Sequence, residues 1–253
     1  MNRICAIIPA RYQSSRLPGK PLLTIGDKTI IQMTYEQTCK CKYIDKVYVV
    51  TDDDRIVNEV NTFSTSSALK SEKECLNGTE RICNVLEQID SKYDIIVNVQ
   101  GDEPYINPEN IDLAIEKYIE NEQDPTMVCT TIHSKISNDE DLYNRSIGKM
   151  VMDKNDNVMY CSRTMIPHTK TGLKDSSHTY NLHIGIFVYR RSFLPLFLDH
   201  KSTPAQLAED IEWLKIIEMG YRIKSYAVSN YEIGVNTAED YKKLLAKYGN
   251  EIA

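Results

Sequence analysis

No run of apolar residues in this chain approaches the roughly 20 needed to cross a bilayer as a helix. The N-terminal apolar stretch ICAIIP is shorter than the core of a secretion signal and is followed at once by charge, so a cytoplasmic protein is expected. No CxxC pair occurs. The seven cysteines (5, 39, 41, 75, 83, 129 and 161) are odd in number and scattered, a pattern of reduced thiols and not of a disulfide framework. Cys39-Lys40-Cys41 lacks the second pair that a metal site would need. Basic charge is not in excess: 30 Lys and Arg stand against 36 Asp and Glu, a net charge of −6, which argues against a general nucleic-acid binder. Internal repeats, low-complexity tracts and linkers are absent too. Neither a GxxxxGK[ST] loop nor a GxGxxG turn is present, excluding the two commonest glycine-rich phosphate cradles.

What remains is a 253-residue chain with 42% apolar and 26% charged residues, ordinary for a globular protein with a sizeable core. Continuous apolar runs at ICAII (4–8), KVYVVT (46–51), DIIVNVQ (94–100) and MVCTTI (127–132) read as strands buried on both faces. Helical patterns separate them: 30–39, a segment opening with acids at 52–54, 79–89 and 108–121. This β-α alternation predicts a mostly parallel sheet with helices on both faces. Beyond residue 145 the pattern loosens. KMVMD and NVMYCS read as a hairpin across residues 154–157, and 168–178 as a polar loop. HIGIFVYR (183–190) and YRIKSYAV (221–228) read as strands, 204–219 as one long helix and 237–248 as a last helix. The expectation is one α/β domain: a nucleotide-binding part over 1–132 and a smaller, β-rich lobe over about 145–230.

In open α/β sheets ligands gather beyond the carboxyl ends of the strands. The loop ARYQSSRLPGKPL lies there, after the first strand, with three cations (Arg11, Arg16 and Lys20) and no acid. Such a loop can neutralise a polyphosphate through its side chains, with Gly19 admitting a close ligand. The segment NVQGDEP puts Asp102 just past another buried strand. A carboxylate beside a cationic loop suits Mg²⁺, which binds through one or two carboxylates and substrate phosphates. A turn acid capping the next helix is the competing reading. His183 in its strand, Arg163 after NVMYCS, and Glu209, Asp210 and Glu212 on the helix 204–219 are more cheaply explained one by one, as a structural histidine, a surface cation and a solvated face.

Taken together, the blocks IIPARYQSSRLPGKPL, NGTER, NVQGDEP, CSRTMIP, HIGIFVYR and GVNTAEDY occur in this order over nearly the whole chain. They resemble the signature blocks of the 3-deoxy-manno-octulosonate (Kdo) cytidylyltransferases. The resemblance implies a nucleotidyltransferase-type, Rossmann-like fold, a homodimer, and transfer of CMP from CTP to a 2-keto-3-deoxy sugar acid for lipopolysaccharide or capsule synthesis. It implies that Pro9, Ala10, Arg11, Arg16, Lys20 and Gly78 bind the nucleotide, with Arg11, Arg16, Lys20 and Asp102 serving the chemistry. Asp102, together with Asn236, would bind Mg²⁺. Gln100, Arg163, His183, Glu209 and Glu212 would hold the sugar acid.

Where the family has Asp in its Gly-Val-Asp-Thr-Pro-Glu-Asp block, this chain has Asn236, which offers only a neutral oxygen. Its Thr-Arg and His-x-Ser ahead of GTER become Ser71-Glu72 and Cys75-Leu76-Asn77, and its Leu-Glu-Gln-Leu-Arg becomes Ile211-Glu212-Trp213-Leu214-Lys215. These departures leave open a different acceptor (an amino-substituted octulosonate, a nonulosonic acid or a phosphonate) and a nucleotide-binding homologue without turnover.

Overall fold

The computed structural model describes residues 3–14, 16–232 and 234–248. The chain divides into two compact units, Met1–Asp112 with Glu232–Ala253, and Leu113–Tyr231.

The first unit is built on four parallel strands, each running from a buried apolar stretch. β1 (Ile4–Pro9) is buried at all six positions, as its unbroken apolar run requires. A hairpin of β2 (Thr24–Ile25) and β3 (Lys28–Thr29) leads into α1 (Ile30–Thr38), whose first turn is capped by the Thr29 hydroxyl. β4 (Lys46–Thr51), α2 (Asp54–Phe63), β5 (Ala68–Lys70), α3 (Gly78–Cys83) and β6 (Ile95–Val99) follow. β1 pairs in parallel with β4 on one side and β6 on the other, and β5 extends β4. All four strand ends that matter for a ligand therefore point the same way. α4 (Pro108–Asn121) contains the boundary between the units.

The second unit mixes parallel and antiparallel pairing. β7 (Met127–Lys135) is followed by α5 (Asp139–Tyr143), the hairpin β8 (Lys149–Met152) and β9 (Val158–Ser162), and the long β10 (Asn181–Arg190). Then come α6 (Leu194–Asp199), α7 (Pro204–Glu209), α8 (Leu214–Glu218) and β11 (Arg222–Ala227). β7 pairs in parallel with β11 and antiparallel with β10, which also pairs with β8. The register of β10 on β7 shifts between Ile184 and Phe187, a bulge at Gly185-Ile186. The last helix, α9 (Ala238–Tyr248), returns to the first unit, where Leu244 joins Ile25, Ile30, Met33 and Val235 in one buried cluster.

Two expected helices are shorter than the sequence predicts. The segment 79–89 leaves helical geometry at Val85 (φ −112°, ψ 4°) and finishes as a single 3-10 turn. The helix expected over 204–219 breaks in two, because Asp210 takes a left-handed conformation (φ 52°) and ends α7. The amide of Ile211 then bonds back to the Gln206 carbonyl, closing the end of α7 and burying Ile211. Local periodicity could not reveal this, since Ile211, Leu214 and Ile216 keep an apolar rhythm across the break.

Candidate active site

Residues from the loop after β1 and the turn after β6 meet in the first unit. Gly101 allows the approach: a methyl group there would sit 2.8 Å from the Pro9 carbonyl oxygen, so any larger residue would push the turn off the end of β1. Gly78, opening α3, packs the same way, its missing Cβ falling 3.1 Å from Pro9 and 3.5 Å from the Gln100 amide. Pro9, Gly78 and Gln100 are thus brought together. Ala10 is buried and its amide donates to the Val50 carbonyl at 2.9 Å, extending the sheet and leaving that N–H unavailable to a phosphate. Asn77 caps α3, its side-chain oxygen accepting from the Glu80 amide at 2.9 Å, so the departure at this position keeps a capping group.

Lys20 begins a 3-10 turn after Gly19, and its Nζ lies 2.5 Å from the Asp102 carboxylate, with both side chains mostly shielded. The sequence put a cation and an acid beyond two different strands; the fold makes them a pair. Arg11 and Arg16 are exposed and hold no ion pair among the described residues, while Ser15 of the same loop lies outside them. The loop therefore offers two uncommitted guanidinium groups beside one paired lysine.

The block around Asn236 reaches the same place. The Val235 amide donates to the Asp102 carbonyl at 2.8 Å, and a methyl on Gly234 would strike the Glu103 carboxyl at 2.8 Å. Asp240 fixes the segment, its carboxylate accepting from the amides of Asn236 (3.0 Å) and Thr237 (2.8 Å) while the Thr237 hydroxyl accepts from the Asp240 amide. Burial, with the neighbouring Asp102 charge, pushes Glu103 up to about 8 against the pull of Lys20. Among the described residues no group of three or more His, Cys, Asp or Glu could hold a metal by itself. Asp102 carries a carboxylate and Asn236 a neutral side-chain oxygen, donor types that Mg²⁺ accepts when phosphates complete its shell.

In the second unit Arg163 is not a free surface cation. Its guanidinium donates to the carbonyls of Ser146 (3.0 Å), Glu209 (3.3 Å) and Asp210 (2.8 Å). The last two carbonyls are available because α7 stops at Asp210 and leaves them without helical donors. Glu209 is not a solvated helix acid either. Its carboxylate accepts from the Ser162 hydroxyl at 2.8 Å and the Arg163 amide at 3.0 Å. His183 bonds through Nε2 to the Thr131 hydroxyl at 2.9 Å, and its ring lies 4.8 Å from Phe187 and 5.1 Å from Trp213. Burial, then the charges of Arg163 and His133, press its pKa down to about 3. Glu212 is half-buried, and its charge adds to the burial that raises the Cys129 thiol.

Two residues of this network carry no sequence signal. Lys149 is fully buried and donates to the carbonyls of Asn144, Ile147 (3.0 Å) and Arg163 (3.2 Å), tying the start of β8 to the end of β9. Thr131 is one of two threonines in a buried strand, and only the fold shows which of them meets His183. At the substituted positions Trp213 is buried beside His183, and Lys215 lies interior with Nζ 4.4 Å from the centre of the Phe197 ring.

Comparison with known proteins gives the family of the chain. The family model for cytidylyltransferases matches residues 5–224. A 3-deoxy-manno-octulosonate cytidylyltransferase of Protochlamydia amoebophila is 42% identical over 245 residues, covering 96% of this chain and 93% of that protein. A Fusobacterium nucleatum protein of the same name is 39% identical, covering 96% of each. The solved structure of a CMP:2-keto-3-deoxy-manno-octonic acid synthetase complexed with CTP superposes with a TM-score of 0.87 at 32% identity, covering 99% of this chain and 100% of that one. The chain belongs to the cytidylyltransferase family, among its 3-deoxy-manno-octulosonate cytidylyltransferases.

Proposed function

We propose that this nucleotidyltransferase joins CMP, taken from CTP, to the anomeric hydroxyl of Kdo and releases pyrophosphate. The observation that carries the reading is the Lys20–Asp102 pair, a phosphate-loop cation and a metal-type carboxylate held 2.5 Å apart at the ends of β1 and β6. Pro9, Gly78 and Gln100 line the same end of the sheet.

The anomeric oxygen forms a bond to the α-phosphorus as the bond from that phosphorus to the bridging oxygen of pyrophosphate breaks, and the hydroxyl proton passes to solvent water. Such a displacement needs positioning and charge neutralisation, and no covalent enzyme intermediate. Lys20 exchanges its bond to Asp102 for one to phosphate oxygens, and Arg11 and Arg16 neutralise charge on the leaving group. Asp102 and Asn236 would hold Mg²⁺, which would supply further charge neutralisation and lower the pKa of the attacking hydroxyl. Asn236 brings one negative charge fewer than an aspartate, so weaker metal affinity is expected. In the second unit Arg163 is the natural partner of the sugar carboxylate, through the N–H groups its three carbonyl bonds leave over, while Glu209, Glu212 and His183 meet hydroxyls.

The protein works in the cytoplasm as a homodimer, a reading supported by seven free cysteines and by the exposed Met159, Tyr160 and Leu207 of the second unit. Light scattering checks the dimer. The activity test is pyrophosphate release from CTP and Mg²⁺ with Kdo, beside an amino-substituted octulosonate, a nonulosonic acid and a phosphonate. Release fastest with Kdo is expected. Tight CTP binding with no release for any acceptor would overturn the enzymatic reading.

A further inference from the structure

The β7–β10 ladder is interrupted by the bulge at Gly185-Ile186, and there the Thr131 hydroxyl donates to the Ile186 carbonyl at 2.6 Å. A hydroxyl carries one proton, and a carbonyl can only accept. Having given its proton to Ile186, Thr131 meets His183 Nε2 at 2.9 Å as an acceptor, so the proton in that bond belongs to the imidazole. We propose that Thr131 is a positioning residue, whose hydroxyl fixes His183 as the Nε2–H tautomer so that Nδ1 accepts a hydrogen bond from a hydroxyl of the sugar acid.

Nδ1 has no partner among the described residues, and His183 is only half-buried, so this nitrogen is left for a ligand. Phe187 and Trp213 hold the ring from its sides, which keeps Nδ1 in one orientation. Burial and the Arg163 charge keep the ring neutral, so its lone pair persists at physiological pH. An acceptor of this kind selects a donor. It favours a hydroxyl and disfavours a carboxylate, whose oxygens have no proton to offer. The substrate half of the proposal rests on assigning the second unit to the sugar acid, as above; the tautomer itself does not.

The experiment is nitrogen-15 NMR of histidine-labelled, ligand-free protein, paired with steady-state kinetics of variants. The expected spectrum shows His183 with a protonated Nε2 and an unprotonated Nδ1. Thr131→Val should mix the tautomers and raise KM for Kdo by about 3- to 10-fold, the size of one neutral hydrogen bond, with KM for CTP unchanged. Thr131→Ser, which keeps the hydroxyl, should restore both. A protonated Nδ1 in the wild type, in either the other tautomer or the imidazolium, overturns the tautomer whatever the enzyme's activity. The stated tautomer with an unchanged KM for Kdo in Thr131→Val overturns the substrate contact, while Kdo-dependent pyrophosphate release in the wild type still judges the function separately. Should Thr131→Val not fold, singly deoxygenated acceptors replace it with the wild-type enzyme. One of them must show the same rise in KM, and a flat series overturns the contact.

Discussion

The two units prepare for charge in opposite ways. In the first, the loop after β1 leaves Arg11 and Arg16 exposed and without ion pairs among the described residues, and only Lys20 is engaged, by Asp102. In the second, Arg163, Glu209, Lys149, Thr131 and His183 are bonded to backbone carbonyls, amides or one another. A polyphosphate brings several charges, and solvated cations can wait for it at little cost. A sugar acid brings one carboxylate and many hydroxyls, and each hydroxyl offers a single hydrogen bond worth about 1 kcal/mol net, so its partners must be held in place beforehand. The first unit leaves its loop cations open, and the second holds its polar groups in preset geometry.

The largest effect should come from the bond that the loop after β1 has already made, Lys20 to Asp102. Asp102→Asn and Lys20→Met should each lower turnover by roughly 10³-fold, the scale of losing a transition-state charge contact, with the urea midpoint close to wild type. Near-normal turnover in either variant would break the contrast at its centre. Next, Lys149→Met should destabilise the fold by about 3 kcal/mol in urea unfolding, because three carbonyls lose their donor in a buried site. Arg16→Ala should instead leave stability untouched and raise KM for CTP by about 10-fold, increasingly so at low salt, as expected for an exposed cation steering an anion.

The last comparison is a pH dependence. In the fold His183 titrates near 3, against 6.5 ordinarily, so the unfolded chain takes up its proton first as the pH falls. Stability tied to this residue is therefore complete above pH 6.5 and is lost as the pH drops from about 6.5 toward 3, by at most about 1.4 kcal/mol per pH unit. Comparing urea unfolding of wild type and His183→Phe over that range isolates the slope, and parallel curves would show that the ring is not held neutral.

Much of the first unit is legible in the sequence. β1, β4 and β6 are runs of apolar residues that only a doubly covered strand explains, and α4 matches its predicted span from Pro108 to Asn121. Short elements escaped: β5 has three residues and α5 five, too few for any period to show. In the second unit the strands were legible and the site was not. Glu209 looked like a solvated helix acid because its partners, Ser162 and the Arg163 amide, lie 47 and 46 residues away. The break at Asp210 was hidden because a left-handed aspartate leaves no mark in a hydrophobic rhythm.

The sequence by itself determined which groups are available and which strands end near them. Strand ends follow from local apolar periodicity, and the cations of ARYQSSRLPGKPL and the acid of NVQGDEP are simply written there. Tertiary structure decided the pairing. It joined Lys20 to Asp102 over 82 residues, gave Arg163 the carbonyls left open by a broken helix, and placed Thr131 against His183 over 52 residues. A hydrogen bond depends on distances of a few tenths of an ångström between atoms far apart in the chain, and only packing sets those distances.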